Sequence, residues 1–248
     1  MSISDPEYRF DLIEDTIAAF TRTSESNQYK TVDLWLNAEN GEFVIVLDDE
    51  DRENEADLII AAESITPAQM AFLVRFTSGL ICAPIAPEIA MRLALPQMVT
   101  ENADPKGTAY TITIDSSADS VTTGISAEDR ALTCRTLASP TSHVESFTRP
   151  GHIIPLQAQP GGVRQRRGHT EAAVDLCRLA GKAPVGVIAE LVEDGEIVEG
   201  IPEVGGNNGM MRRDGCLRFG KRWGIKTCTI DKLVKYLDAT EGRINRRH

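Results

Sequence analysis

The sequence predicts an α+β fold, a single mixed β-sheet with helices packed on both faces in three α/β/α layers. Two observations carry that reading. The strands read as short continuous apolar runs, Phe43-Val44-Ile45-Val46-Leu47 foremost, as expected of strands covered on both sides. Capped amphipathic helices are interspersed with them, without the strict βαβ alternation of a parallel fold.

Phe10, Ile13, Ile17 and Phe20 recur at helical spacing, so 8–22 reads as an amphipathic helix. Residues 23–41 are polar and irregular, a loop or insertion. After strand 43–47 comes Asp48-Asp49-Glu50-Asp51-Arg52-Glu53-Asn54-Glu55-Ala56-Asp57, seven carboxylates around one arginine, and then strand 58–61. Thr66-Pro67-Ala68-Gln69 combines an N-cap, a first-turn proline and a capping-box glutamine, and the helix it opens stops near Gly79. Strand 80–85, helix 87–95 and strand 108–115 follow, and Ser126 opens a helix to about Ala138. Residues 140–167, punctuated by Pro140, Pro150, Pro155 and Pro160, read as a long functional or disordered loop. Thr170 starts a helix with Gly181 just past its end. Strand 185–192, a hairpin turn at Asp194-Gly195, helix 211–222, strand 226–229 and a last helix through Leu237 complete the chain. Gly205-Gly206-Asn207-Asn208-Gly209 reads as a flexible loop.

With 248 residues, 42% apolar and 25% charged, the chain suits one large domain over 1–248, with flexible ends at 1–7 and 241–248. Twenty-six basic against 37 acidic residues give a net charge of −11, which argues against nucleic acid or a basic membrane-surface role. No apolar run is long enough for a membrane-spanning helix, and the start Met1-Ser2-Ile3-Ser4-Asp5-Pro6 has neither the basic nor the apolar region of a signal peptide, so it is not expected to act as one. The five cysteines form no C-x-x-C pair and fit a reducing compartment, so the chain is expected in the cytoplasm. Cys82 reads as a small core residue, or as an oxidisable thiol near a site. His143 and His248 have no constellation around them.

Three segments hold candidate chemistry. The acidic loop 48–57 is either a solvated turn or a site for a hard cation such as Mg²⁺ or Mn²⁺, which takes oxygen ligands. Arg164-Gln165-Arg166-Arg167-Gly168-His169-Thr170-Glu171 opens a helix, and convergence of its arginines, Thr170 and the helix N-terminus would make a phosphate site. The alternative is a basic surface turn with Thr170 as N-cap. In Arg149-Pro150-Gly151-His152, prolines on either side would hold His152 in a rigid loop suited to proton transfer, or form a merely stiff turn. Glu190, a carboxylate in an apolar strand, is costly to bury unless paired, and otherwise faces solvent at the strand end. No nucleotide-binding glycine motif is present.

Val46–Asp57, Arg149-Pro150-Gly151-His152 and Gly168-His169-Thr170-Glu171-Ala172 together resemble the signatures of the 3,4-dihydroxy-2-butanone 4-phosphate synthase family of riboflavin biosynthesis. The resemblance spans about residues 8–240. It departs at Ala56, where a Gly is common, in the length of 23–41, and in the extra basicity of 164–167. It implies a lyase that converts D-ribulose 5-phosphate to L-3,4-dihydroxy-2-butanone 4-phosphate and formate, through enolisation, dehydration, skeletal rearrangement and loss of C4. It implies Mg²⁺ or Mn²⁺ and no organic cofactor, matching the lack of a nucleotide motif, and a homodimer with active sites at its interface. By resemblance Glu53 and His169 are the metal ligands. Arg52, Glu53, Asp57, Thr108, Arg166, Gly168, His169, Thr170 and Glu190 contact substrate, and His152, Glu190 and Asp57 are catalytic. The form is expected to be monofunctional. The alternatives are another metal-dependent phosphosugar isomerase or aldolase, and a non-enzymatic acidic interaction protein.

Overall fold

The computed structural model describes residues 9–21, 41–193 and 209–242. The expectations for 1–8, 22–40, Asp194-Gly195, 205–208 and 243–248 lie outside the described residues. The elements are α1 (Ile13–Thr21), β1 (Val44–Leu47), β2 (Ala56–Ala61), α2 (Pro67–Phe76), β3 (Cys82–Ile85), α3 (Pro87–Arg92), β4 (Ile114–Ser116), α4 (Ala127–Ala138), β5 (Phe147–Gln157), α5 (His169–Leu179), β6 (Gly186–Glu190), α6 (Arg213–Trp223), β7 (Lys226–Thr229) and α7 (Ile230–Thr240).

The strands form one seven-stranded mixed sheet in the order β4-β5-β3-β6-β2-β1-β7. Strand alternation sends Ile45, Leu58, Ile60 and Val187 to one face, where they meet Met70 and Leu73 of α2 and Leu137 of α4. Val44, Val46, Ile59 and Ile188 go to the other, against α1, α5 and α7. Both faces are covered, which is why the strand sequences run apolar without alternating. The expected three-layer α+β architecture is present.

Local signals hold at the caps. Thr66 and Gln69 form the capping box of α2, and Ser126 accepts from the Asp129 N–H at the start of α4. Among the described residues no helix is long and apolar enough to cross a membrane.

Three expectations are corrected. Residues 140–167 are not one long loop, because 147–157 form the 11-residue strand β5. Its prolines escape the usual prohibition because Pro150 falls where the β4–β5 register shifts, between the Asp115–Thr148 and Ile114–Ile153 pairs. The Pro155 carbonyl accepts from both the N–H and the hydroxyl of Thr111. Gly151 lets β5 lie against the backbone of Ile114 and Asp115, where a Cβ would collide. Residues 108–113 are not a continuous strand. The Thr111 N–H donates to Pro155 and the Ile112 N–H to Pro96, so no single partner offers a ladder, and Tyr110 and Thr111 keep only isolated bridges. Finally, α5 begins at His169 with Gly168 as its N-cap, so Thr170 is the second helical residue rather than the cap.

Candidate metal and phosphate site

The acidic loop is a tight connection between β1 and β2, closed by the Asp48 N–H donating to the Glu55 carbonyl at 3.1 Å. Asp48 is buried and organises it. Its carboxylate accepts from the backbone N–H of Glu55 at 2.9 Å, from that of Glu53 at 3.3 Å, and from Arg52 Nη1 at 2.7 Å. The same Arg52 nitrogen reaches Glu53 Oε2 at 2.7 Å. The other carboxylates divide. Asp49 pairs with Arg167 at 3.0 Å and Glu55 with Arg212 at 3.6 Å, while Glu50 and Asp51 are exposed. The solvated-turn reading therefore holds for part of the run only.

Asp57 enters β2 and is 3% exposed. Its register partner across β2–β6 is Glu190, so two carboxylates lie side by side on one face. Burial raises the Asp57 pKa well above the usual range, and Glu190, Asp48, Glu53 and Glu55 push it further. Glu190 is the last residue of β6, half-buried at the strand end, and its Oε2 accepts from Ser78 Oγ at 3.0 Å.

His169, at the first turn of α5, is 8% exposed. Its Nδ1 lies 3.7 Å from Asp57 Oδ1. Both His169 Nε2 and Asp57 Oδ1 are buried and have no hydrogen-bond partner among the described residues. Burial lowers the His169 pKa and favours the neutral, ligating imidazole, against the pull of Asp48. Asp48, Glu53 and His169 each offer a ligand atom within 4.8 Å of the others. Two oxygens and a neutral imidazole nitrogen, beside orphaned buried atoms, fit a divalent cation such as Mg²⁺ or Mn²⁺.

The arginines of 164–167 do not converge, contrary to expectation. A short 3-10 turn at 162–164 precedes α5, and each side chain finds its own partner. Arg164 pairs with Glu241 at 2.5 Å, and Arg167 with Asp49 and Asp231. Only Arg166 stays with the helix opening. Its Nη2 donates to Thr108 Oγ1 at 3.0 Å, its Nε to the Lys106 carbonyl at 3.2 Å, and its Nη1 to Glu171 Oε2 at 2.7 Å. Gly168 supplies no side-chain cap, so the N-terminus of α5 keeps backbone donors for an anion next to Thr170.

His152 is not in this cluster and not in a loop. It sits in β5, separated from β2 by β3 and β6, so three strand spacings, ~14 Å, divide it from Asp57. Its Nδ1 lies 2.7 Å from Asp115 Oδ2, and its backbone N–H donates to Asp115 Oδ1 at 2.9 Å. Cys82 is 2% exposed in β3, and burial, with Glu190 and Asp57 nearby, pushes its thiol up, away from reactive thiolate. It is a core residue.

Sequence reasoning passed over Asp48, Asp115 and Glu171. Asp48 stood within the flagged run, but nothing local marks it as the loop's organiser. Asp115, one acid among the β-formers Ile112-Thr113-Ile114, was a signal that could have been read. Glu171 carries no local mark beyond its place in the first turn of α5, and only the fold sets Arg166 against it.

A family profile described as 3,4-dihydroxy-2-butanone 4-phosphate synthase matches residues 34–236. A Pyricularia oryzae protein of that name is 56% identical over 241 residues, 97% of this chain and 95% of its own. A Candida albicans protein of the same name is 56% identical over 198 residues, 80% of this chain and 91% of its own. The crystal structure of such a synthase in complex with two magnesium ions superposes with a TM-score of 0.84 at 56% identity, covering 95% of this chain and 100% of that one.

Proposed function

We propose, from the premise that the chain belongs to the 3,4-dihydroxy-2-butanone 4-phosphate synthase family, that it converts ribulose 5-phosphate to 3,4-dihydroxy-2-butanone 4-phosphate and formate, with Mg²⁺ or Mn²⁺ and no organic cofactor. The carrying observation is the pair of orphaned buried atoms, His169 Nε2 and Asp57 Oδ1, beside the converging ligand atoms of Asp48, Glu53 and His169. A buried polar atom without a partner costs about 1–3 kcal/mol, a penalty that a bound ligand removes.

Glu53 and His169, with Asp48, would hold the cation. When bound, it supplies positive charge for the oxygens of a phosphosugar as negative charge develops on them. The α5 N-terminus, Gly168, Thr170, Arg166 and Thr108 form the phosphate end, and Arg52 sits beside Glu53 to fix the substrate's hydroxyls. Arg166 meets a phosphate already oriented by three hydrogen bonds, so little freedom is lost on binding. Asp57, held toward its neutral form by burial and its carboxylate neighbours, is suited to holding and passing a proton that an ordinary carboxylate would have lost. Glu190 lies opposite it and His152 completes the proton-handling set.

The reading includes a homodimer with active sites at its interface. The ~14 Å in-sheet gap between His152 and Asp57 favours it, since a second copy can bring a His152 that the chain's own strand does not. Mixing inactive His152→Asn and His169→Ala chains, with subunit exchange, is expected to restore formate release to roughly a quarter of the wild-type rate at equal mixing, the share of intact composite sites. No recovery from demonstrably mixed dimers would place both residues in one subunit's site. Five free, buried cysteines accord with a cytoplasmic location.

The direct test is formate release from ribulose 5-phosphate by the purified protein with Mg²⁺. Release abolished by EDTA and restored by added Mg²⁺ is expected. An isomerase or aldolase would consume the sugar without formate, and that result sinks the reading.

A further inference from the structure

We propose that Asp115 is the positioning residue of His152, holding its imidazole with the proton on Nδ1 so that Nε2 is the basic atom offered to substrate. This rests on the reading of His152 as a proton carrier.

The geometry is a two-point clamp. Asp115, 8% exposed in β4, turns one oxygen to the His152 backbone N–H at 2.9 Å and the other to Nδ1 at 2.7 Å. An ionised carboxylate only accepts hydrogen bonds. Nδ1 must therefore be the donor, and in the neutral ring the lone pair falls to Nε2. When Nε2 takes a proton from a substrate C–H or O–H, the bonding electron pair stays on the substrate. The resulting imidazolium keeps its Nδ1–H on Asp115.

The surroundings are built for this contact. Gly151 lets β5 approach the backbone of Ile114 and Asp115 closely enough for the clamp to close. Gly124, at φ +85°, passes over the pair, where a Cβ would strike the Asp115 carboxylate and lie 2.8 Å from His152 Nδ1. Arg130 of α4, 7% exposed and with no partner for its Nε among the described residues, places a buried positive charge near Asp115.

The test uses the full-length enzyme and the variant Asp115→Asn. The Asn carbonyl oxygen must take the place that accepts from the His152 N–H, because its NH₂ cannot accept. The NH₂ then faces Nδ1, makes it an acceptor, and moves the ring proton to Nε2. The expected result is a fall in kcat of roughly 10²–10⁴-fold with KM changed far less, as for other His–carboxylate pairs given the wrong tautomer. ¹⁵N-histidine NMR reads the tautomer directly. Four histidines are present, and loss of one signal in His152→Asn assigns His152. Wild type should show the Nδ1–H tautomer. An Nε2–H tautomer in wild type overturns the proposal whether or not any variant folds. So does a folded Asp115→Asn with unchanged kcat while His152→Asn is inactive. Full turnover in His152→Asn would instead remove the reading of His152 as proton carrier, with the tautomer result left standing by itself.

Discussion

Glu53→Gln and His169→Ala are each expected to lose Mg²⁺-dependent turnover by at least ~100-fold and to lose Mg²⁺-induced thermal stabilisation, without unfolding. Ligand binding to the folded state alone stabilises it by about 2.7 kcal/mol at one hundred times Kd, so wild type should melt higher as Mg²⁺ is added. Both variants should melt at a temperature indifferent to it. These two residues are the informative ones. Glu53 is half-buried, and its pair with Arg52 is partly open to water, so losing that pair costs little by itself. His169 Nε2 has no hydrogen bond to lose. Asp48 is a poorer choice, because its carboxylate holds two backbone N–H groups and Arg52, and its removal would unmake the loop. Calorimetric titration and melting with and without Mg²⁺ check the outcome. Undiminished Mg²⁺ stabilisation in both variants would move the cation elsewhere.

Asp57→Asn should separate stability from function. In the metal-free protein the carboxylate is buried, carries one unpartnered oxygen and faces Glu190 across the β2–β6 ladder. Its pKa is raised in the folded state above the ordinary value of 3.8, first by burial and then by Glu190, Asp48 and Glu53. The sign follows from linkage. The folded state is favoured by this group below the unfolded pKa, and that contribution is lost as pH rises toward and through the folded pKa. Metal-free wild type should therefore lose stability from this group as pH climbs out of the acid range, and Asp57→Asn should not. At neutral pH the variant is expected to be more stable by on the order of 1 kcal/mol and slower by ~10²–10⁴-fold. Urea unfolding in EDTA across pH 4–8, with formate assays alongside, measures both. A variant less stable than wild type throughout that range would mean that Asp57 is held by contacts stronger than its repulsions.

The cation end of the site was the more legible part. Glu53 and Asp57 stand in one acidic run, and a strand–loop–strand pattern was enough to bring them together. His169 was readable as a residue at a helix opening, though only the fold carries that opening to the acidic loop. The phosphate end was half legible. Four residues, Arg164-Gln165-Arg166-Arg167, looked like one basic cluster, yet Arg164 and Arg167 turn to Glu241, Asp49 and Asp231. Partner choice among like side chains depends on which carboxylates the fold supplies, and these lie far off in sequence. β5 was misread because proline spacing is local, whereas a proline's cost in a sheet depends on whether a neighbour needs its N–H.

What the sequence by itself determined is whatever rests on neighbours along the chain. That covers the apolar runs that become two-faced strands, the capping box at Thr66, the helix periodicities, and the residue types present in the three signature segments. The tertiary structure alone decided which of those residues meet. It set Glu190 beside Asp57 through a ladder joining residues 133 positions apart, left His169 Nε2 without a partner, and gave His152 its Asp115. The physical reason is range. Periodicity and capping act over a few residues, whereas desolvation, charge pairing and cation coordination depend on distances in space that only the closed fold defines.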